Sequence, residues 1–390
     1  MSDPVRFDEF EAKNGRRIAM ITLDAEKRLN AISMHMVSGI RQHLVRWKND
    51  DRVAVVVLHA ASERAFCAGG DLREMYEAEA ASKSTGATDG GLGSSYVRTF
   101  FEHEYRLDYE LHTFPKPVLC WGHGIVMGGG LGLLVGCSHR VVTESSQLSM
   151  PEISIGHFPD VGGSWFLNRM PGKTGLFVAL TGGALGAEDA ICAKLADYRI
   201  AQGEKQLILN RLVHQAWSAK RDANDVLLAR ILQSAQWSGG TKQRPLHEHC
   251  EVISELCSRE SIGEIYAGIV ALERSPDPWL QAGARRLAQG YAGSAGLIYA
   301  LLRRAGHLSL RDVFRLEYRV ALRSVIHGQF LEGIRALIID KDRRPRWERS
   351  IDNVTPEWIG QTFLSPLSAG QDPLDNLESS VRNPDAKTWS

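Results

Sequence analysis

Two glycine-rich segments and two acids are the residues of this chain whose types and spacing could do chemistry. Ala65-Phe66-Cys67-Ala68-Gly69-Gly70-Asp71 and Met127-Gly128-Gly129-Gly130-Leu131-Gly132 each place glycines just after an expected strand and before an expected helix. Neither is a Walker loop, because no Gly-Lys-Ser/Thr follows, and the second lacks the GxGxxG spacing of a dinucleotide fingerprint. Glycine lets the backbone approach a ligand closely, and NH groups at a helix start lack intrahelical partners and lie at the positive end of the helix dipole. Two such groups converging on one oxygen would make an oxyanion hole, where losing one donor typically slows an enzyme about 10²–10³-fold. Tight packing of strand on helix accounts for either segment alone equally well; the pair together is more specific. The acids, Glu152 and Asp160, lie in the apolar, glycine-punctuated stretch from Met150 to Ser164. A carboxylate in such surroundings holds its proton more tightly and becomes a useful base or nucleophile. Asp160 also precedes an expected helix and has an alternative as its N-cap; Glu152 has no such alternative. His123 and His157 have the right type for acid–base work, but a structural role is the expectation for both.

The elements that must position these residues follow from periodicity. Residues 17 to 23 and 53 to 60 are short β-rich runs, and between them Ser33 to Trp47 carries apolar residues at helical spacing behind a serine cap. A helix over Tyr96 to His112, a strand over Pro117 to Trp121 and a glycine-rich turn into a small-residue helix follow, so strands alternate with helices in a layered α/β architecture. Ala78 to Ser95 is small, polar and glycine-rich and reads as a mobile loop, either a surface linker or a lid. From about residue 186 the pattern is helical, with breaks near Ser238 to Pro245 and Ser275 to Pro278, and the tail after Pro366 turns polar and is expected to fray. The 390 residues, 44% of them hydrophobic, are ample for a real core, and 46 basic against 46 acidic residues leave no global field to attract nucleic acid or an anionic membrane. Six cysteines without a CxxC pair or zinc-type spacing point to buried thiols in a reducing compartment, and the absence of an apolar run of membrane-spanning length or a signal-like start points to the cytoplasm.

In order and separation, AFCAGGD, GGGLG and PEISIGHFPDVGG resemble the crotonase (enoyl-CoA hydratase/isomerase) superfamily. Glu317-Tyr318-Arg319, the run Phe330 to Ala336, Ile339-Asp340-Lys341-Asp342 and Pro345-Arg346-Trp347 are similar to its 3-hydroxyisobutyryl-CoA hydrolase branch, and the resemblance spans roughly residues 15 to 365. It implies an α/β fold: a crotonase-like core of stacked ββα turns over residues 1–185 and a helical C-terminal region over 186–365 that folds over the active site or builds homo-oligomers such as trimers; the polar tail over 366–390 lies outside the resemblance. It further implies hydrolysis of a short 3-hydroxyacyl-CoA thioester in valine breakdown, the coenzyme A being part of the substrate, with no separate cofactor and no metal. The alternatives are hydration or isomerisation of another acyl-CoA, and an acyl-CoA-binding scaffold without turnover. By similarity, Gly70 and Gly129 supply the oxyanion hole, and Glu152 and Asp160 are the working acids. Glu104 faces the acyl pocket, Arg28 borders the coenzyme A phosphates, and Ala68, Gly69, Asp71 and Leu72 line its adenine and pantetheine. Hydratases of the family carry a further catalytic glutamate two residues after the glycine triplet; here that position is Gly132, which puts simple hydration in doubt.

Overall fold

The computed structural model describes residues 3–85, 93–237, 239, 244–367 and 371–377. It opens with an antiparallel pair, β1 (Val5–Glu11) and β2 (Arg17–Leu23), followed by α1 (Met34–Asn49), whose first turn is capped by Ser33 Oγ accepting from the Met36 NH at 3.3 Å. Strand β3 (Val53–Ala60) is buried along its whole length, and the reason is legible in its side chains. Val53, Val56, Leu58 and Ala60 enter the main core, whereas Ala54, Val55 and Val57 enter a second cluster on the opposite face. A parallel strand covered on both faces needs a continuous apolar run rather than alternation, and VAVVVLHA supplies it.

From β3 onward the chain visits two sheets in alternation. β4 (Ala65–Cys67) leads to α2 (Leu72–Thr85) and α3 (Ser95–His112). β5 (Val118–Gly122) and β6 (Ile125–Met127) lead to α4 (Gly129–Gly136), and β7 (His139–Val142) is followed by β8 (Gln147–Ser149). The large sheet has the order β1-β2-β3-β5-β7-β9 and the small one β4-β6-β8, with every pair parallel except β1–β2. These are the stacked ββα turns, and they carry the ends of β4, β6 and β8 to one side of the molecule. The edge strand β9 (Tyr198–Arg199) and the helices Lys205–Val213 and Arg221–Gln233, all beyond residue 185, complete the sheet and cover its second face through Ile208, Leu212, Leu228 and Leu232. Core and helical region are therefore interleaved at that boundary: the main cluster also draws its members from both, from Val5 to Leu377.

Two expectations change. Ala78 to Thr85 is the second half of α2, not loop, because Ala, Glu and Lys outweigh its serines as helix formers. Glu79 is buried there, and its Oε2 accepts the Ser94 NH at 2.7 Å, tying α2 to the start of α3; residues 86–92 of the expected loop lie outside the described residues. The segment after Pro366 is held as far as it is described. Arg106 and Arg311 donate to the carbonyls of Pro373 and Asp375, and Arg315 pairs with Asp372 and Asp375. Residues 378–390 lie outside the described residues.

Candidate active site

The site forms where α4 begins. Gly128 adopts φ +51°, which an L side chain rarely does, and Gly129 is the first residue of the helix. A Cβ on Gly129 would lie 3.6 Å from the Gly70 nitrogen, so the two backbones meet. Among the described residues neither the Gly70 nor the Gly129 NH donates to a backbone acceptor. The packing alternative for the same segment is also realised, but at another residue: a Cβ on Gly130 would sit 2.3 Å from the Cys67 carbonyl oxygen.

Two acids flank this point. The hypothetical Cβ of Gly129 would come 2.8 Å from Glu104 Oε1, and that of Gly128 3.0 Å from Glu152 Oε1. Glu104 comes from α3, whose one inward stripe also carries Tyr105 and Asp108, all buried. Glu152 opens a 3₁₀ turn, Glu152–Ile155, directly after β8. Burial pushes both carboxyls well above the ordinary glutamate range, and the neighbouring Asp160 adds to the effect. Asp160 does not cap the next helix, whose N-cap is Gly162; its Oδ2 instead accepts the Tyr105 hydroxyl at 2.7 Å. Burial, with Asp160 and Glu317 nearby, keeps the Tyr105 phenol protonated far beyond its usual range, so it stays a donor.

His157 is not isolated packing. Its Nε2 lies 3.5 Å from Asp160 Oδ2, and its ring stacks on Phe330 at 4.2 Å between centroids. His123, by contrast, pairs through Nε2 with the Ser62 carbonyl at 2.6 Å, which is a structural role. Glu317, fully buried on the helix Leu310–His327, accepts the NH groups of Gly162 at 2.7 Å and Ser164 at 2.8 Å. Burial pushes its carboxyl up to about 8 against the pull of those two NH groups. Tyr105 and Glu317 were not singled out as site residues from sequence, and His157 was weighed there but expected to be structural. Tyr105 is adjacent to Glu104, and Glu317 lies in the Glu-Tyr-Arg run, but nothing local marks either as facing Asp160.

The rim is built from the other sequence candidates. Segment 29–32 runs alongside 68–71: the NH of Ala68 donates to Leu29 O, that of Ile32 to Gly69 O and that of Asp71 to Ile32 O. Asn30 fixes this contact from within, donating to the carbonyls of Ala65 and Phe66 and accepting the Ala25 NH. Arg28 meets Asp71 at 2.7 Å, and Leu72 begins α2 beside them. Position 132 is closed, because a Cβ on Gly132 would stand 2.7 Å from both Cβ and Cγ2 of Val161.

Stacked ββα turns that bring two backbone NH groups and a buried acid to one point define the class: crotonase-fold enzymes of acyl-CoA chemistry. The chain belongs to the enoyl-CoA hydratase/isomerase family, whose sequence profile matches residues 18–363. It is 34% identical over 345 residues, 88% of this chain and 86% of the relative, to a Gallus gallus protein named 3-hydroxyisobutyryl-CoA hydrolase, mitochondrial. It is 32% identical, over 90% of each chain, to 3-hydroxyisobutyryl-CoA hydrolase 1 of Arabidopsis thaliana. Among solved structures, a carnitinyl-CoA dehydratase from Mycobacterium thermoresistibile superposes with a TM-score of 0.80 at 30% identity, over 94% of this chain and 98% of that one. An enoyl-CoA hydratase from Rhodobacter sphaeroides 2.4.1 gives 0.78 at 32% identity with the same coverage.

Proposed function

We propose that the chain hydrolyses a short 3-hydroxyacyl-CoA thioester, in the first place 3-hydroxyisobutyryl-CoA, to the free acid and coenzyme A, as its named relatives suggest. The thioester carbonyl oxygen accepts from the NH groups of Gly70 and Gly129, which meet at the positive end of α4. Glu152 then either attacks the carbonyl carbon, giving a mixed anhydride that water opens, or takes a proton from the water that attacks. Either route breaks the C–S bond and releases the thiol. Asp160, held by Tyr105, accepts a hydrogen bond from the 3-hydroxyl, and Glu104 closes the acyl pocket beside Gly129. Arg28 and the backbone of Ala68, Gly69, Asp71 and Leu72 border the coenzyme A moiety.

The observation that carries hydrolysis over hydration is Gly132. A carboxylate at that position has no room while Val161 occupies it, so the second acid that the family's hydratases carry there is missing, and Glu104 beside Gly129 does not stand in its place. Placement in valine breakdown follows from the substrate. A reducing compartment such as the cytoplasm is supported by six free cysteines, although the vertebrate relatives are named mitochondrial.

The test is thiol release, followed with a thiol-reactive dye, from 3-hydroxyisobutyryl-CoA, 3-hydroxypropionyl-CoA and crotonyl-CoA. Release from the hydroxyacyl thioesters that disappears in Glu152→Gln supports the reading. Loss of the crotonyl-CoA double bond without thiol release, as the hydratase-named structural neighbours would lead one to test, overturns it. Single turnover in ¹⁸O-water tests the anhydride route, since label on Glu152 arises only when water opens an anhydride at the glutamyl carbon.

A further inference from the structure

Asp160 opens a turn that is closed by its own carbonyl, which accepts the Gly163 NH at 2.6 Å, but whose backbone is strained at its centre. Val161 has φ +51°, a conformation that costs a β-branched residue dearly, and Gly162 follows at φ +84°. Such a turn persists only where its surroundings hold it. The holding group lies 153 residues away in sequence from Ser164 and 155 from Gly162: the Glu317 carboxylate takes the NH of Gly162 on Oε2 and that of Ser164 on Oε1. The same helix presses Phe314 onto the turn, where a Cβ on Gly162 would lie 3.1 Å from the ring. One turn thus carries Asp160 on the pocket side and two NH groups on the Glu317 side.

We propose that Glu317 is a positioning residue for the reaction: by holding both NH groups it aims the Asp160 carboxylate at the acyl chain. The assignment rests on the hydrolase reading for its chemistry, but the clamp itself can be tested without it. Through this residue the C-terminal helical region does more than cover the core; it sets the orientation of an acid in the α/β layer. Glu317 touches no reacting atom. Its effect must therefore fall on what Asp160 recognises, the 3-hydroxyl, rather than on the carbonyl held at Gly70 and Gly129.

The experiment uses the full chain and compares wild type with Glu317→Gln, which keeps shape but turns one acceptor into a donor facing a backbone NH. Steady-state kinetics on 3-hydroxyisobutyryl-CoA and isobutyryl-CoA, the same skeleton without the hydroxyl, are measured beside amide hydrogen exchange of a peptide covering residues 160–165. The expected result is a fall of about ten- to hundredfold in the preference for the hydroxylated substrate, from misplacement of the recognising acid, with faster exchange confined to that peptide. Equal losses on both substrates that follow the fall in Tm, or unchanged exchange at residues 160–165, overturn the proposal. If wild type releases no thiol from either substrate, the hydrolase reading fails and the exchange result alone decides the clamp. Glu317→Asp, which keeps the carboxyl but withdraws it by a methylene, gives the same readouts should the glutamine variant not accumulate.

Discussion

The rim and the floor of the site both hold carboxylates, yet they treat them oppositely. At the rim Asp71 meets Arg28, whose side chain is 68% exposed, at 2.7 Å. In the floor Glu104, Glu152, Asp160 and Glu317 are all buried, and the groups that face them are largely neutral donors: the Tyr105 hydroxyl and the NH groups of Gly162 and Ser164. Arg28 lies mostly in solvent and can turn its guanidinium to a phosphate, while Asp71, itself buried, keeps the Glu74 NH on Oδ1 at 3.2 Å. A buried acid without a cation beside it resists ionisation and becomes reactive when it does ionise. On the proposed reading the difference separates binding from chemistry: a solvent-facing cation at the rim, carboxyls without a cation in the floor.

That division breaks most visibly at Glu152. Glu152→Gln is expected to lower kcat for hydroxyacyl thioesters about 10³-fold while KM moves little, because the amide retains volume but can neither attack nor accept a proton. A fall in kcat of less than tenfold would mean that the floor acid is not the reacting one.

The next largest effect is on stability against pH. Glu317 is raised from its ordinary 4.5 to about 8, and Glu104, Asp108 and Glu152 are raised in the same direction, all chiefly by burial. For a carboxyl raised on folding, the stabilising contribution is complete below the unfolded value and is lost as pH rises through the folded one. Unfolding free energy in denaturant should thus decline between pH 4.5 and 8, and Glu317→Gln should lessen the slope by about 1.4 kcal/mol per pH unit in that window. A slope identical in the two proteins would show that Glu317 ionises freely in the folded state.

The same contrast explains what could be read from the residues in order. The rim and the NH pair were legible because glycine-rich turns after strands are local features: Gly70 and Gly129 do meet, and Glu152 stands beside them. Strands β2 and β3 matched because they are sustained β-rich apolar runs, and helices α1 and α3 because their apolar periods are long. The three-residue strands β4, β6 and β8 were not legible, being too short to show a period. The floor was legible only in part. Asp160 reads equally well as a helix cap until Tyr105 is seen to claim its oxygen, and Glu317 reads as one more helical acid until the fold closes a gap of more than 150 residues.

Tyr105 sharpens the comparison from within the floor. Tyr105→Phe removes the neutral donor from Asp160 Oδ2 and is expected to lower kcat/KM for the hydroxyacyl substrate about tenfold, the cost of one buried hydrogen bond. Isobutyryl-CoA turnover should stay within about twofold, because the carbonyl is held elsewhere. Equal losses on both substrates would place Asp160 at the carbonyl rather than at the 3-hydroxyl.

The smallest effect belongs to the rim. Arg28→Ala is expected to raise KM about threefold with kcat unchanged, since an exposed cation contributes under about 1 kcal/mol to holding a phosphate. The difference between wild type and variant should also shrink as salt is added, because charges in contact with solvent are screened within about 10 Å at 0.1 M. Kinetics at low and high ionic strength check both points. A change in kcat, or a KM effect that salt does not touch, would show that the Arg28–Asp71 pair acts on the floor through the 68–71 turn and that rim and floor are one device.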